Sequence, residues 1–289
     1  MDAVLVLTAA GPLGDDIVAA AAGALARPGP ARRLAPEAVE IGFNGPAAEG
    51  RAAVRAALAA APVDVNALAA EGREKRILIS DMDSTIIPVE CIDEIADFAG
   101  IGAHVAEITE RAMRGELDFE AALKERVALL AGFPASALQA VYDARVTLNP
   151  GAAALVEAMN ARGALTALVS GGFDFFTDRV GAAAGFARSR ANRLILAEGR
   201  LTGGVEEPIL GREAKLEALN AMAAELGVTP AEAVAIGDGA NDLAMIAAAG
   251  LGVAWRAKPA VAAAAGAALD HADLTAVLRL QGIAAPGFV

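Results

Sequence analysis

The amino-acid sequence predicts an α/β protein. Its larger part is a doubly wound parallel sheet with a small helical cap inserted after the first core strand, and a small α/β sandwich precedes it. Three observations predict this. Short apolar runs at residues 77–79, 166–169, 233–236 and 250–254 are each followed by a turn and a helical pattern. No strand pattern interrupts residues 88–149. The first 70 or so residues run in the order β-α-β-α-β.

Residues 3–8 alternate weakly and read as a strand, and residues 15–26 read as a small-residue helix. The helix stops at the breaker cluster Arg27-Pro28-Gly29-Pro30. A second strand is expected at residues 39–43, a helix at 47–60 and a third strand at 63–66. The charged segment 71–76 marks a boundary, with units 1–72 and 73–289. The run at 77–79 suits a strand buried on both faces. In the insert, expected at about 88–149, three apolar helical faces follow one another. They are Ile92, Ile95, Ala96 and Ala99; then Val105, Ile108, Ala112 and Met113; then Phe119, Ala122, Leu123, Val127 and Leu130. A helical block at this position reads as a lid. Residues 192–205, with a turn near Gly199, are expected to form a hairpin extending the sheet edge.

Composition narrows the function classes. The 289 residues carry 24 Lys and Arg against 36 Asp and Glu, a net charge of −12. Such a balance argues against a nucleic-acid surface, which needs clustered cations. The longest stretch free of charged residues, 127–142, is 16 residues and contains Pro134, short of a membrane span. Met1-Asp2 supplies no basic leader, and the single Cys91 permits no intrachain disulfide, which suits a reducing cytoplasm. Cys91 reads as a small buried hydrophobe. With only His104 and His271, a histidine-based zinc site is not expected. The alanine-rich first unit buries little area per residue, so it either docks on another surface or pairs with a second copy as a homodimer.

Ligands of open α/β sheets sit beyond the carboxyl ends of the strands. The first core strand ends in Asp81-Met82-Asp83-Ser84-Thr85. Two carboxylates one residue apart repel unless a cation offsets them, so the pair reads as a cation site with a nucleophile or as a solvated turn. The second ends in Ser170-Gly171-Gly172, a phosphate cradle or an ordinary serine cap. Lys215 lies early in a later helix, where one lysine alone is most simply a solvated face. The third strand leads into Gly237-Asp238-Gly239-Ala240-Asn241-Asp242, ligands or an Asx-rich turn. Four such signals in this order converge on one crevice, which favours the functional reading of each. Neither a dinucleotide glycine fingerprint nor a P-loop is present.

Asp81 to Thr85, Ser170-Gly171-Gly172, Lys215 and Gly237 to Asp242 resemble the four motifs of the haloacid dehalogenase superfamily of phosphatases. Over about residues 75–285 the resemblance is to its phosphoserine phosphatase family, and residues 1–72 resemble a shortened ACT-like domain. The resemblance implies hydrolysis of O-phospho-L-serine at the end of serine biosynthesis. It implies Asp81 as nucleophile, Asp83 as general acid and base, and Mg²⁺ held by Asp81, Asp238 and the Asp83 carbonyl. Ser170, Gly171 and Lys215 would take the phosphate, with Asn241 beside it and Asp242 supporting Lys215.

The cap should read the rest of the substrate. Arg126 shares the apolar face of Phe119 and Leu123, either as a fork for an α-carboxylate or as a snorkelling arginine with a carboxylate of its own helix. Glu90 suits an α-ammonium group, or is a first-turn glutamate facing the helix dipole. Both, with Met113 and Phe119, match the family's cap contacts. The run Glu107, Glu110, Arg111, Glu116 and Asp118 reads as a solvated face, and Trp255 as packing. Two other functions stay open: a phosphatase or phosphotransferase for another phosphorylated amino acid such as phosphothreonine or phosphohomoserine, and a non-enzymatic amino-acid sensor.

Overall fold

The computed structural model describes residues 1–59, 61–114 and 116–288; the Met113 side chain lies outside that set. The first unit contains β1 (Ala3–Ala9), α1 (Asp15–Ala24), β2 (Ala31–Ala35), β3 (Ala38–Phe43), α2 (Ala47–Ala57) and β4 (Val63–Ala69). Its strands form an antiparallel sheet in the order β2-β3-β1-β4. The sequence pattern does not predict β2. Ala31-Arg32-Arg33 is polar and largely exposed, so no apolar pattern marks it. Side chains of β1 alternate between two layers. Leu5 and Leu7 pack with Val39, Ile41, Phe43 and Val54 beneath the two helices. Val4 and Val6 face the other way and join the core of the second unit. Of the two fates expected for this alanine-rich unit, the structure shows docking on the chain's own larger part.

Two buried polar side chains of β4 make that docking specific. Asn66 donates to the Ala268 carbonyl and accepts from the Ala268 N–H, each at 2.9 Å. Its amide thus completes the ladder at an edge strand that would otherwise be open. Asp64 accepts from the backbone N–H groups of Asp270 at 2.7 Å, His271 at 3.1 Å and Ala272 at 2.9 Å. Asp64→Ala should take the acceptor from three N–H groups, that of Ala272 buried, and lower stability by about 1–3 kcal/mol. Urea unfolding monitored by circular dichroism checks this, and an unchanged midpoint would rule it out.

The larger unit continues with β5 (Ile77–Ser80) and the helices α3 (Cys91–Phe98), α4 (Gly102–Met113), α5 (Phe119–Ala128), α6 (Ser136–Arg145) and α7 (Ala152–Asn160). Then come β6 (Leu165–Phe173), α8 (Asp174–Ala184), β7 (Arg188–Asn192), β8 (Leu194–Ala197), β9 (Arg200–Val205) and α9 (Glu213–Glu225). The chain ends with β10 (Ala233–Gly237), α10 (Leu243–Ala248), β11 (Leu251–Trp255), α11 (Pro259–Ala264), β12 (Ala267–Leu269) and α12 (Ala276–Leu280). Six strands form a parallel sheet in the order β12-β11-β10-β5-β6-β7. The doubly wound α/β fold is therefore as the sequence predicts. All four residues of β5 are buried, which explains the unbroken Ile77-Leu78-Ile79 run. The chain builds outward from β5 through β6 and β7, then crosses to β10 on the other side. That reversal opens a crevice at the carboxyl ends of β5, β6 and β10.

The hairpin differs from expectation. β7 takes the sheet edge, while β8 and β9 form a separate antiparallel ribbon that docks on the cap. Gly132 N–H donates to the Leu201 carbonyl at 2.8 Å, and Ala135 N–H to that of Gly199 at 2.9 Å. Gly203, at φ +86°, permits the approach, since a Cβ there would lie 3.0 Å from Ala131 Cβ. Among the described residues no helix is long and apolar enough to cross a membrane.

Candidate active site

The first strand end sets the site. Asp81 follows β5, and its N–H donates to the Ile236 carbonyl at 3.0 Å, so two adjacent strands fix its backbone. The chain then turns sharply. N–H groups of Thr85, Ile86 and Ile87 all converge on the Met82 carbonyl, and Ser84 takes a left-handed backbone at φ +54°. This turn presents Asp81 and Asp83 to one cavity of about 400 Å³ between cap and sheet.

Lys215, on the first turn of α9, is 2% exposed. Its Nζ lies 2.6 Å from Asp81 Oδ2 and 2.6 Å from Asp242 Oδ1. A solvated-face reading of this lysine is thereby excluded. Burial pulls the ammonium group down, but the carboxylates of Asp81 and Asp242 outweigh it and hold the group above its ordinary value. Asp242 is fully buried, and its other oxygen accepts from the Gly239 N–H at 3.1 Å. Burial, then the charge of Asp81, push the Asp242 carboxyl up to about 7 against the pull of Lys215. Asn241 Nδ2 donates to Asp81 Oδ2 at 3.3 Å.

Asp83 is held differently. Its Oδ1 accepts from the Cys91 N–H at 3.0 Å, and its Oδ2 from Ser170 Oγ at 3.2 Å. Burial, then the charge of Asp81, raise its carboxyl to about 6. A carboxyl raised to that value can carry a proton near neutrality. Gly172 leaves room for this arrangement, since a Cβ there would lie 2.8 Å from Asp83 Oδ2. Ser170 is no helix cap: β6 runs on to Phe173 and α8 starts after it, so the Ser170 hydroxyl accepts from Gly172 N–H at 2.8 Å instead. Cys91 is a buried thiol whose pKa is raised, by burial first and then by the charge of Asp83, consistent with an inert packing group.

The acidic cluster is suited to a hard cation. Carboxylate oxygens of Asp81, Asp238 and Asp242 lie within 4.8 Å of one another, with no sulfur or imidazole among them. Asp242 already serves Lys215 and Gly239, whereas Asp238 accepts only from Thr85 Oγ1 at 3.2 Å among the described side chains. Burial and then the charge of Asp81 raise the Asp238 carboxyl, the signature of an anion lacking a counter-charge. Asp238 is thus the freest of the three to hold a metal, while Asp81 is shared with Lys215 Nζ, Asn241 Nδ2 and the Met82 N–H.

The cap closes the cavity. Glu90, Phe119, Leu123 and Arg126 line it with Ser170, Gly171 and Asn241. Phe119 overhangs Gly171, where an added Cβ would lie 2.9 Å from the ring. Glu90 accepts from Ser84 Oγ at 2.6 Å, and enclosure followed by the charge of Asp83 raises its carboxyl to about 7. Arg126 makes no ion pair among the described residues; its Nε donates to the Ala122 carbonyl at 3.2 Å. The intrahelical carboxylate of the alternative reading is absent, and the guanidinium is left facing the cavity. The expected site residue Met113 lies at the end of α4, and its side chain is outside the described residues. The mixed charge run is a solvated face: Arg111 pairs with Glu125 and Glu116, and Asp118 caps α5. Trp255 is fully buried. Sequence reading missed Asp93, Thr109 and Lys258, which also line the cavity. Inspection of the fourth strand end, β11, would have found Lys258.

Fold and site together define a haloacid dehalogenase-like hydrolase: the model of that family matches residues 78–247, and the chain belongs to the family. Within it the chain stands with the phosphoserine phosphatases. It is 47% identical over 210 residues to the phosphoserine phosphatase of a Polaromonas species, covering 71% of this chain and 89% of the relative. It is 46% identical over 206 residues to that of Streptococcus thermophilus, covering 71% and 95%. The structure superposes on a haloacid dehalogenase family hydrolase of Salmonella enterica with a TM-score of 0.86 at 29% identity, covering 96% of this chain and 97% of the other.

Proposed function

We propose that this chain hydrolyses O-phospho-L-serine to L-serine and phosphate, with Mg²⁺ as cofactor, as the last step of serine biosynthesis. One observation carries the reading: Asp81, held by Lys215 beneath it, stands at the floor of a cavity whose roof offers two acids, Glu90 and Asp93, and one base, Arg126, that makes no ion pair among the described residues. A phosphate would meet the floor and a zwitterionic head the roof. The names of the relatives support the same substrate.

The Asp81 carboxylate attacks phosphorus, so an O–P bond forms to the aspartate as the ester O–P bond breaks. Asp83 gives its proton to the departing serine oxygen. Water then attacks the aspartyl phosphate, its proton passes to Asp83, and Asp81 is regenerated. Lys215, the Ser170 hydroxyl and the Gly171 N–H stabilise the equatorial oxygens. Asp81 and Asp238, with the Asp83 carbonyl, would hold Mg²⁺, which when bound offsets the acids and polarises the phosphate. Glu90 orients the substrate ammonium and Arg126 its carboxylate, with Phe119 and Met113 on the cap side. The sensor reading is less favoured, because retaining clustered buried carboxylates without turnover is unfavourable.

Arg126→Ala should raise KM for phosphoserine by about 100-fold, the loss of a charge-assisted contact of roughly 3 kcal/mol. For a phosphate ester lacking the amino-acid head the change should be under about threefold. Equal effects on the two esters would reject the fork.

A further inference from the structure

The core side of the cavity mouth carries a cation that belongs to none of the strand-end motifs. β11 ends at Trp255, and Arg256 takes a left-handed backbone at φ 43°, its N–H donating to the Leu269 carbonyl at 2.8 Å. The Arg256 guanidinium lies 4.9 Å from the Trp255 ring centre, and Arg256 does not line the cavity. Two residues later the chain has turned back toward β10. Lys258 N–H donates to the Asp238 carbonyl at 3.3 Å, and Pro259 opens α11. Lys258 is exposed and lines the cavity beside Asp238, Gly239 and Asn241.

The charges around the cavity make this placement consequential. Five lining residues are acids, Asp81, Asp83, Glu90, Asp93 and Asp238, and two are bases, Arg126 and Lys258. The whole chain carries −12. Lys215 lies beneath the surface with its charge shared by two carboxylates. An incoming phosphate dianion therefore faces repulsion, and on the core side of the mouth Lys258 is the cation exposed to it. Arg126 stands opposite, on the cap.

We propose that Lys258 is a substrate-guiding cation, which draws the phosphate of the ester to the core face of the mouth and on toward Lys215. This rests on the phosphomonoester reading above. One exposed charge acting on a dianion across a few ångströms of water changes affinity by about three- to tenfold. It should be screened by salt.

The test compares the full-length wild type with Lys258→Ala and Lys258→Arg in Mg²⁺. Inorganic phosphate affinity is read by titration calorimetry, and kcat/KM for phosphoserine at low and high ionic strength. Lys258→Ala should weaken phosphate binding and lower kcat/KM by about three- to tenfold at low salt, with kcat nearly unchanged. The gap should close at high salt, and Lys258→Arg should restore both values. Unchanged values at low salt would overturn the proposal. So would a loss that persists at high salt and that arginine does not restore, since a packing role would behave that way. Phosphate binding without phosphoserine hydrolysis by the wild type would overturn the substrate reading alone, because the phosphate comparison still reads Lys258. A wild type that binds no phosphate would overturn both.

Discussion

Asp81→Asn is expected to abolish turnover, lowering kcat by about 10⁴-fold or more. The amide is no nucleophile, and the neighbouring carboxylates are engaged elsewhere, Asp238 with Thr85 Oγ1 and, as proposed, the metal. Asp83 is tied to Cys91 N–H and Ser170 Oγ, and Asp242 to Lys215 and Gly239 N–H. The fold should survive. Asparagine matches aspartate in shape, Lys215 keeps Asp242, and one repelling charge leaves a buried acidic cluster. Phosphate release and thermal unfolding measured on the same preparation check both halves. Substantial hydrolysis by a folded Asp81→Asn chain would reject the nucleophile assignment.

Lys215→Met should have the largest effect on stability. Removing one member of a buried ionic cluster costs about 3–5 kcal/mol, because the remaining charges lose their partner. Here the orphans would be Asp81 and Asp242, both buried, each 2.6 Å from the lost ammonium. The loss should depend on pH, with a definite sign. Asp242 is already pushed up to about 7 by burial and by Asp81, and the variant removes the one influence that lowers it most. Below that pH the native state takes up a proton there that the unfolded chain, at an ordinary carboxylate value, does not. Stability of the metal-free variant should therefore improve as pH falls from 8 toward 5.5. The penalty relative to wild type shrinks in the same window. Urea unfolding at the two ends checks this, and a pH-independent penalty would contradict the ionic account. Catalysis should fall as well, since a donor to the transferring phosphoryl group is gone.

How much of this was legible in the sequence depends on how local each signal is. Asp81-Met82-Asp83 and Gly237 to Asp242 are contiguous, and a strand end is a fixed place in a parallel sheet, so their convergence follows from the sequence alone. Lys215 was the least informative residue alone, because its meaning comes from two carboxylates far away in sequence, at Asp81 and Asp242. The docking of the first unit was hidden for the same reason. Asp64 and Asn66 read as polar residues of an ordinary strand, yet their partners are the N–H and C=O groups around β12, more than 200 residues later. β2 was illegible because its burial comes from the last turns of the chain: Leu34 and Ala35 pack against Ala284 and Ala285. The hairpin of β8 and β9 was recognisable as a hairpin. Its direction was not, because that is set by backbone bonds to the cap loop at Gly132 and Ala135.

The net charge also acquires a location. Acids crowd the mouth of a cavity that must admit an anion, and Lys258, Arg126 and Lys215 mark a path from solvent to Asp81. The central claim is that this path ends in hydrolysis of phosphoserine with the help of a divalent cation. Steady-state phosphate release tests it most directly, measured on phosphoserine, phosphothreonine, phosphohomoserine and a simple alkyl phosphate, each with Mg²⁺ and with chelator. The predicted result is Mg²⁺-dependent release with kcat/KM for phosphoserine the highest of the set. Release that is indifferent to chelator, or that prefers the alkyl phosphate, would contradict it.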